Sequence, residues 1–215
     1  MILKRKIYKK LLEWKKECQG KKALLIEGAR RIGKSTICEE FGKSEYKSFL
    51  LIDFAKKDKE VEGYFEKYLN DLDTFFMLLQ THFGTKLTER NSLIIFDEVQ
   101  MFPQARAAIK YLVADGRYDY IETGSLISIR ENVKNIVIPS EERHINMYPL
   151  DFEEFAIALE EDLLVEYIKK CFEKREPLER SMHNQAMLLF HQYMLVGGMP
   201  MPCLLYTSPS PRDTR

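Results

Sequence analysis

Apolar residues follow two alternating rhythms along this chain. The first segment sets Leu3, Ile7, Leu11 and Trp14, with Tyr8 and Leu12 beside them, at helical spacing among Lys4, Arg5, Lys6, Lys9, Lys10, Lys15 and Lys16. A basic amphipathic helix is predicted within residues 1–20, packing its apolar stripe on a core and leaving its lysines in water. The rhythm then changes: Ala23-Leu24-Leu25-Ile26 is a short unbroken apolar run that ends at Gly28, as a strand buried on both faces requires. A helical stretch over about residues 34–41 follows, then a second run, Phe49-Leu50-Leu51-Ile52-Asp53. Helical spacing returns over 61–83, carried by Tyr64, Tyr68, Leu69, Leu72, Phe75, Phe76 and Leu79, with Gly84 as its stop.

Leu93-Ile94-Ile95-Phe96 predicts a third strand that runs straight into Asp97-Glu98. A fourth is predicted over 118–123, ending at Gly124-Ser125, and a fifth over 143–148, because Pro149 then breaks the chain. Buried strands alternating with helices predict an α/β fold, a three-layer α/β/α parallel sheet over residues 21–148. Beyond Pro149 the pattern is helical as far as Met194, opened by Asp151-Phe152-Glu153-Glu154-Phe155 and turned at Gly197-Gly198-Met199-Pro200. Residues 149–202 are therefore read as a smaller helical unit.

Composition narrows the class without naming a partner. Apolar residues make up 45% and charged residues 31%, the composition of a folded chain with a charged surface. Lysine plus arginine equal aspartate plus glutamate at 33 each, so no global field draws the protein to nucleic acid or anionic lipid. The basic first helix is the one local patch, and nucleic acid stays a disfavoured partner. The four cysteines, Cys18, Cys38, Cys171 and Cys203, form no CxxC pair and no zinc spacing, which fits a reducing cytoplasm. No run approaches the ~20 apolar residues of a membrane span. His82, His144, His183 and His191 share no spacing that suggests a site.

Chemistry concentrates at two strand ends. Gly28-Ala29-Arg30-Arg31-Ile32-Gly33-Lys34-Ser35, followed by Thr36, has the spacing of a phosphate-binding loop (Walker A) between a strand and a helix. Its glycines permit the conformations that turn backbone N–H groups toward phosphate oxygens, and the helix behind points its positive end at the same anion. Lys34 would supply a charge to the β- and γ-phosphates of ATP, and the Ser35 hydroxyl is a hard oxygen ligand for Mg²⁺. At the other strand end Asp97 would hold the Mg²⁺ through water, and Glu98 would orient and deprotonate the attacking water (Walker B). Thr123 or Ser125, at the end of the fourth strand, would hold that water or sense the γ-phosphate; sequence does not rank the two.

Three activities share this scaffold: hydrolysis of ATP, a nucleotide-gated binding switch with little turnover, and small-molecule phosphotransfer. The second acid, Glu98, speaks for hydrolysis, because a pure binder has no need of it. No Asn-Lys-x-Asp segment that would read guanine occurs.

Five segments occur in order: Glu27 to Thr36 around the glycine loop, Ile94-Ile95-Phe96-Asp97-Glu98-Val99-Gln100, Ile121-Glu122-Thr123-Gly124-Ser125, Tyr148-Pro149-Leu150-Asp151-Phe152-Glu153-Glu154-Phe155, and Gly197-Gly198-Met199-Pro200. Together they resemble a large prokaryotic family of AAA-type ATPases in which the ATPase domain precedes a C-terminal domain of unknown function, over roughly residues 5–202. The resemblance implies an ATPase core with Lys34, Ser35, Asp97 and Glu98 in the roles just argued, and Thr123 or Ser125 as the sensor. It suggests assembly into oligomeric rings and implies no known substrate; the leading reading is that the cycle moves the C-terminal unit or a partner protein. Many members carry a Gly-Arg pair before the Pro-Leu-x-Phe segment, where this chain has Pro139-Ser140-Glu141-Glu142-Arg143. Arg143, Arg130 and Arg106 are the arginines considered for a finger role.

Residues 203–215 do not continue either rhythm. Cys203 to Asp213 read, codon for codon, as the translation of a transposase adapter used in making sequencing libraries. The expectation is that the native frame is lost at about Pro202, that the chain is a truncated fragment, and that Leu159, Leu163, Leu188 and Leu189 are left exposed.

Overall fold

The apolar runs form strands β1 (Ala23–Glu27), β2 (Ser48–Asp53), β3 (Ser92–Asp97), β4 (Asp119–Gly124) and β5 (Glu142–Asn146). The structure is a computed structural model and describes residues 3–125, 141–201 and 203. All neighbouring strands pair in parallel, in the order β2-β3-β4-β1-β5. β4 thus lies between β1 and β3, and the polar ends of these three strands come out side by side: Glu27 is in register with Gly124, and Phe96 with Glu122.

The chain divides into two compact units, one of Ile7–Met147 and the other of the segments before and after it. In the first, alternate strand residues face opposite layers. Ala23, Leu25, Leu50, Ile52, Ile94, Phe96 and Tyr120 join one core with α3 (Lys59–Lys67), α4 (Leu72–Phe83) and α5 (Pro103–Asp115). In the other layer α2 (Lys34–Glu45) lies against β2, β3 and β4, and α1 (Ile7–Cys18) against α2. α1 buries Ile7, Leu11 and Trp14 as its periodicity predicts, and Trp14 closes the turn after it by donating its indole N–H to the Lys22 carbonyl at 3.0 Å. The helical spacing over 61–83 resolves into two helices rather than one. Asp58 caps α3, accepting from the Glu60 and Val61 amides, and Asp71 caps α4, accepting from the Thr74 amide, so the chain restarts at Asp71. α5 has a proline in its first turn and ends at left-handed Gly116.

The second unit holds α6 (Phe152–Ala158), α7 (Asp162–Lys174) and α8 (Arg180–Val196). α6 opens with a capping box: Asp151 accepts from the Glu154 amide and Glu154 from the Asp151 amide. Arg5 and Lys6 belong here, with Arg5 Nε 3.2 Å from Glu154 Oε1 and Lys6 Nζ 2.6 Å from Asp151 Oδ2, so α1 begins only at Ile7. The core gathers Leu150, Phe155, Ala156, Leu164, Val165, Ala186, Leu189 and Cys203. Of the four leucines expected to be exposed, Leu163 and Leu188 are, whereas Leu159 is half-buried and Leu189 packs in this core. Among the described residues no helix is long and apolar enough to cross a membrane. Pro202, residues 204–215 and Arg130 lie outside the described residues.

Candidate functional site

The glycine loop begins where β1 ends, and its first glycine is dictated by crowding. A Cβ on Gly28 would stand 2.3 Å from the Met147 carbonyl oxygen and 2.7 Å from Ile32 Cδ1. That backbone is fixed in turn, because the Met147 amide donates to the Glu27 carbonyl at 2.8 Å. Further on, Arg31 (φ 65°) and Gly33 (φ 89°) are left-handed and coil the loop into α2. Gly33 is the N-cap of α2 and brings no side chain to that helix end, so its first-turn N–H groups suit an anion. Ala29, Arg30, Arg31 and Thr36 are exposed, while Ile32 anchors the loop in the interior.

Lys34 is buried, and its ammonium donates to the loop's own carbonyls, Gly28 O at 3.1 Å and Ala29 O at 2.8 Å. Burial lowers its pKa below the usual lysine value, with Glu98 and Asp97 opposing that shift by their charge. Ser35, one residue on, reaches across to β3: its hydroxyl lies 2.8 Å and 2.7 Å from the two Asp97 carboxylate oxygens. Thr123 on β4 also donates to Asp97 Oδ1, and its oxygen accepts the Glu98 amide at 3.2 Å. Residues from α2, β3 and β4 therefore meet at Asp97, as the strand order requires.

Glu98 follows β3 in a left-handed conformation (φ 52°), and its carboxylate accepts from Gln100 Nε2. Ser125 is buried just beyond β4, and the bonds to Asp97 and to the Glu98 amide come from Thr123. A hydroxyl and a carboxylate this close form a hard oxygen donor set that fits Mg²⁺.

The arginines considered for a finger are differently placed. Arg106 on α5 is buried in a two-pronged pair with Glu142, Nε to Oε1 at 3.1 Å and Nη2 to Oε2 at 2.9 Å. Arg143 is the second residue of β5, at the strand end remote from the loop, and pairs with Glu17 at 2.5 Å. Two further features were not read from the sequence: the grip of Gln100 on Glu98, and a buried cluster of Arg106, Glu142 and Glu122 beneath β4 and β5. His82, read as ordinary, pairs with Asp58 at 2.8 Å on the surface.

A parallel sheet whose first strand ends in this glycine loop, with an acidic strand end beside it, is the arrangement of the P-loop class of nucleotide-binding proteins. Within that class the AAA domain matches residues 20–156, and the chain belongs to this family. Membership implies nucleotide use and an ATPase type of function. No curated protein matches the chain. Among solved structures it is similar to PCH-2 from C. elegans, at 13% identity and a TM-score of 0.46, over 97% of this chain and 60% of that one.

Proposed function

We propose that this chain binds ATP with Mg²⁺ and hydrolyses it to ADP and phosphate, driving a partner protein or a further domain. The observation that carries the reading is the meeting of Ser35, Asp97 and Thr123 within hydrogen-bond distance, with Lys34 and Glu98 on either side. The loop from Gly28 to Thr36 cradles the phosphates. Lys34 exchanges the Gly28 and Ala29 carbonyls for β- and γ-phosphate oxygens. Ser35 and Asp97 would hold Mg²⁺, Asp97 through water, and the ion when bound offsets phosphate charge. Glu98 takes a proton from the attacking water as its oxygen bonds the γ-phosphorus and the bridging P–O bond breaks toward ADP. Thr123, which already bonds both acids of the strand end, is the sensor in preference to Ser125. The four free cysteines agree with a cytoplasmic location.

The test is magnesium-dependent phosphate release from ATP by the purified chain, with nucleotide binding followed in parallel. Lys34→Ala is expected to weaken ATP binding by about 100-fold, as loss of one partner of a buried charge pair does. Glu98→Gln is expected to bind ATP normally and to lose about 100-fold or more in turnover. Failure of the unaltered chain to bind ATP would sink the reading.

A further inference from the structure

Gln100 lies two residues past Glu98 on a short 3₁₀ turn, Val99–Met101, and is buried. Its Nε2 donates to Glu98 Oε2. A carboxylate only accepts hydrogen bonds, so the amide nitrogen is the atom that has to face it. Glu98 is held a second time through its backbone, since its N–H donates to Thr123 Oγ1 at 3.2 Å. Its left-handed φ of 52° is a conformation that costs an L-residue roughly 1–2 kcal/mol and persists where surrounding contacts over-determine it.

A half-exposed glutamate on a loop otherwise samples several side-chain rotamers. Here the carboxylate is tied by Gln100, and the backbone N–H of Glu98 by the Thr123 hydroxyl, which itself donates to Asp97.

We propose that Gln100 is a positioning residue for ATP hydrolysis: its amide fixes the Glu98 carboxylate in the orientation from which it accepts the proton of the attacking water. The proposal rests on the hydrolytic reading above. Gln100 touches neither nucleotide nor water in this role and acts through Glu98.

Two substitutions test it. Gln100→Met keeps length and buried apolar packing but has no donor, and Gln100→Glu keeps the shape but sets an acceptor against an acceptor. Each is made alone and together with Glu98→Gln. Hydrolysis of magnesium-ATP is followed in single turnover with excess protein, which reads slow residual rates, beside ATP affinity and thermal melting. Both variants are expected to lose about 100-fold in the hydrolysis rate, the loss that a misplaced catalytic group brings, with ATP affinity unchanged. Once Glu98→Gln is present, neither Gln100 change is expected to slow hydrolysis further. Losses that multiply in the double variants overturn the proposal, as does Gln100→Met with full turnover. Absence of turnover in the unaltered chain overturns the hydrolytic reading and this proposal with it, a result distinct because it appears before any substitution is made.

Discussion

Gly28 shows how narrowly single atoms define the loop. Its missing Cβ leaves room for the Met147 carbonyl, which sits 2.3 Å from where that carbon would stand. Neither side can retreat, because the Met147 amide is bonded to Glu27. Gly28→Ala should therefore destabilise the chain by about 1–3 kcal/mol, the cost of overpacking, and weaken ATP binding. Gly63, inside α3 with nothing within 4 Å of an added Cβ, is the control: Gly63→Ala should stabilise by roughly 0.5–1 kcal/mol through helix propensity. Urea unfolding of the two variants checks both signs, and equal effects would show that the crowding at Gly28 has no energetic weight.

At the scale of elements, β4 serves both layers of the sheet. Thr123 points toward Asp97, and the residue before it, Glu122, points the other way into a fully buried cluster. Burial, and then the neighbouring Glu142 carboxylate, hold the Glu122 pKa well above the usual carboxylate value, with Arg106 opposing. Arg106 is committed to Glu142, which also lies 3.2 Å from His144 Nε2, so Glu122 is the member that keeps a proton. The folded state thus binds a proton that the unfolded chain releases near pH ~4.3. Stability is full below that pH and falls as pH rises through the raised folded pKa. Urea unfolding between about pH 5 and pH 9 should show this decline in the unaltered chain and a flatter profile in Glu122→Gln, which needs no proton. Identical profiles would contradict it.

The same elements show what the sequence could and could not reveal. β1 and β3 were legible because unbroken apolar runs led directly to the glycine loop and to Asp97-Glu98, and spacing alone brought those residues into one site. The break between α3 and α4 was not, since Tyr68, Leu69 and Leu72 keep the helical period although α3 ends at Lys67 and Asp71 caps the start of a new helix. Arg106, Glu122 and Glu142 were illegible as a cluster for a different reason. They belong to α5, β4 and β5, and only the pairing of β1 with both β4 and β5 brings them together. Gln100 stands in one of the family segments, but its donor role depends on the left-handed turn at Glu98, which no pattern announces.

Over the whole molecule, surface character differs sharply between the two units. From residue 181 to 201 there is no Asp, Glu, Lys or Arg. In the same unit Leu163, Phe172 and Leu195 are each more than 80% exposed, and Leu188 and Met194 are largely exposed. Such a surface favours association in water. Phe172→Lys combined with Leu195→Lys should reduce light scattering and sedimentation of associated species at high protein concentration. The melting transition should stay within about 0.5 kcal/mol of the original, as expected for exposed sites. Unchanged association would place its cause elsewhere.

The strand order also sets a timetable for birth on the ribosome. Of the five described strands β1 is synthesised first, yet its neighbours are β4 and β5, which are synthesised last of the five. At 5–20 residues per second the roughly 100 intervening residues take on the order of 10 s, during which the apolar run Ala23 to Ile26 has no strand partner. Lys34 and Ser35 emerge early, Asp97 later, and Thr123 later still, so the proposed nucleotide site cannot be finished before the sheet around it closes. A nascent chain halted before Met147 would hold the phosphate loop without the backbone that covers Gly28, and would depend on chaperones to stay in solution.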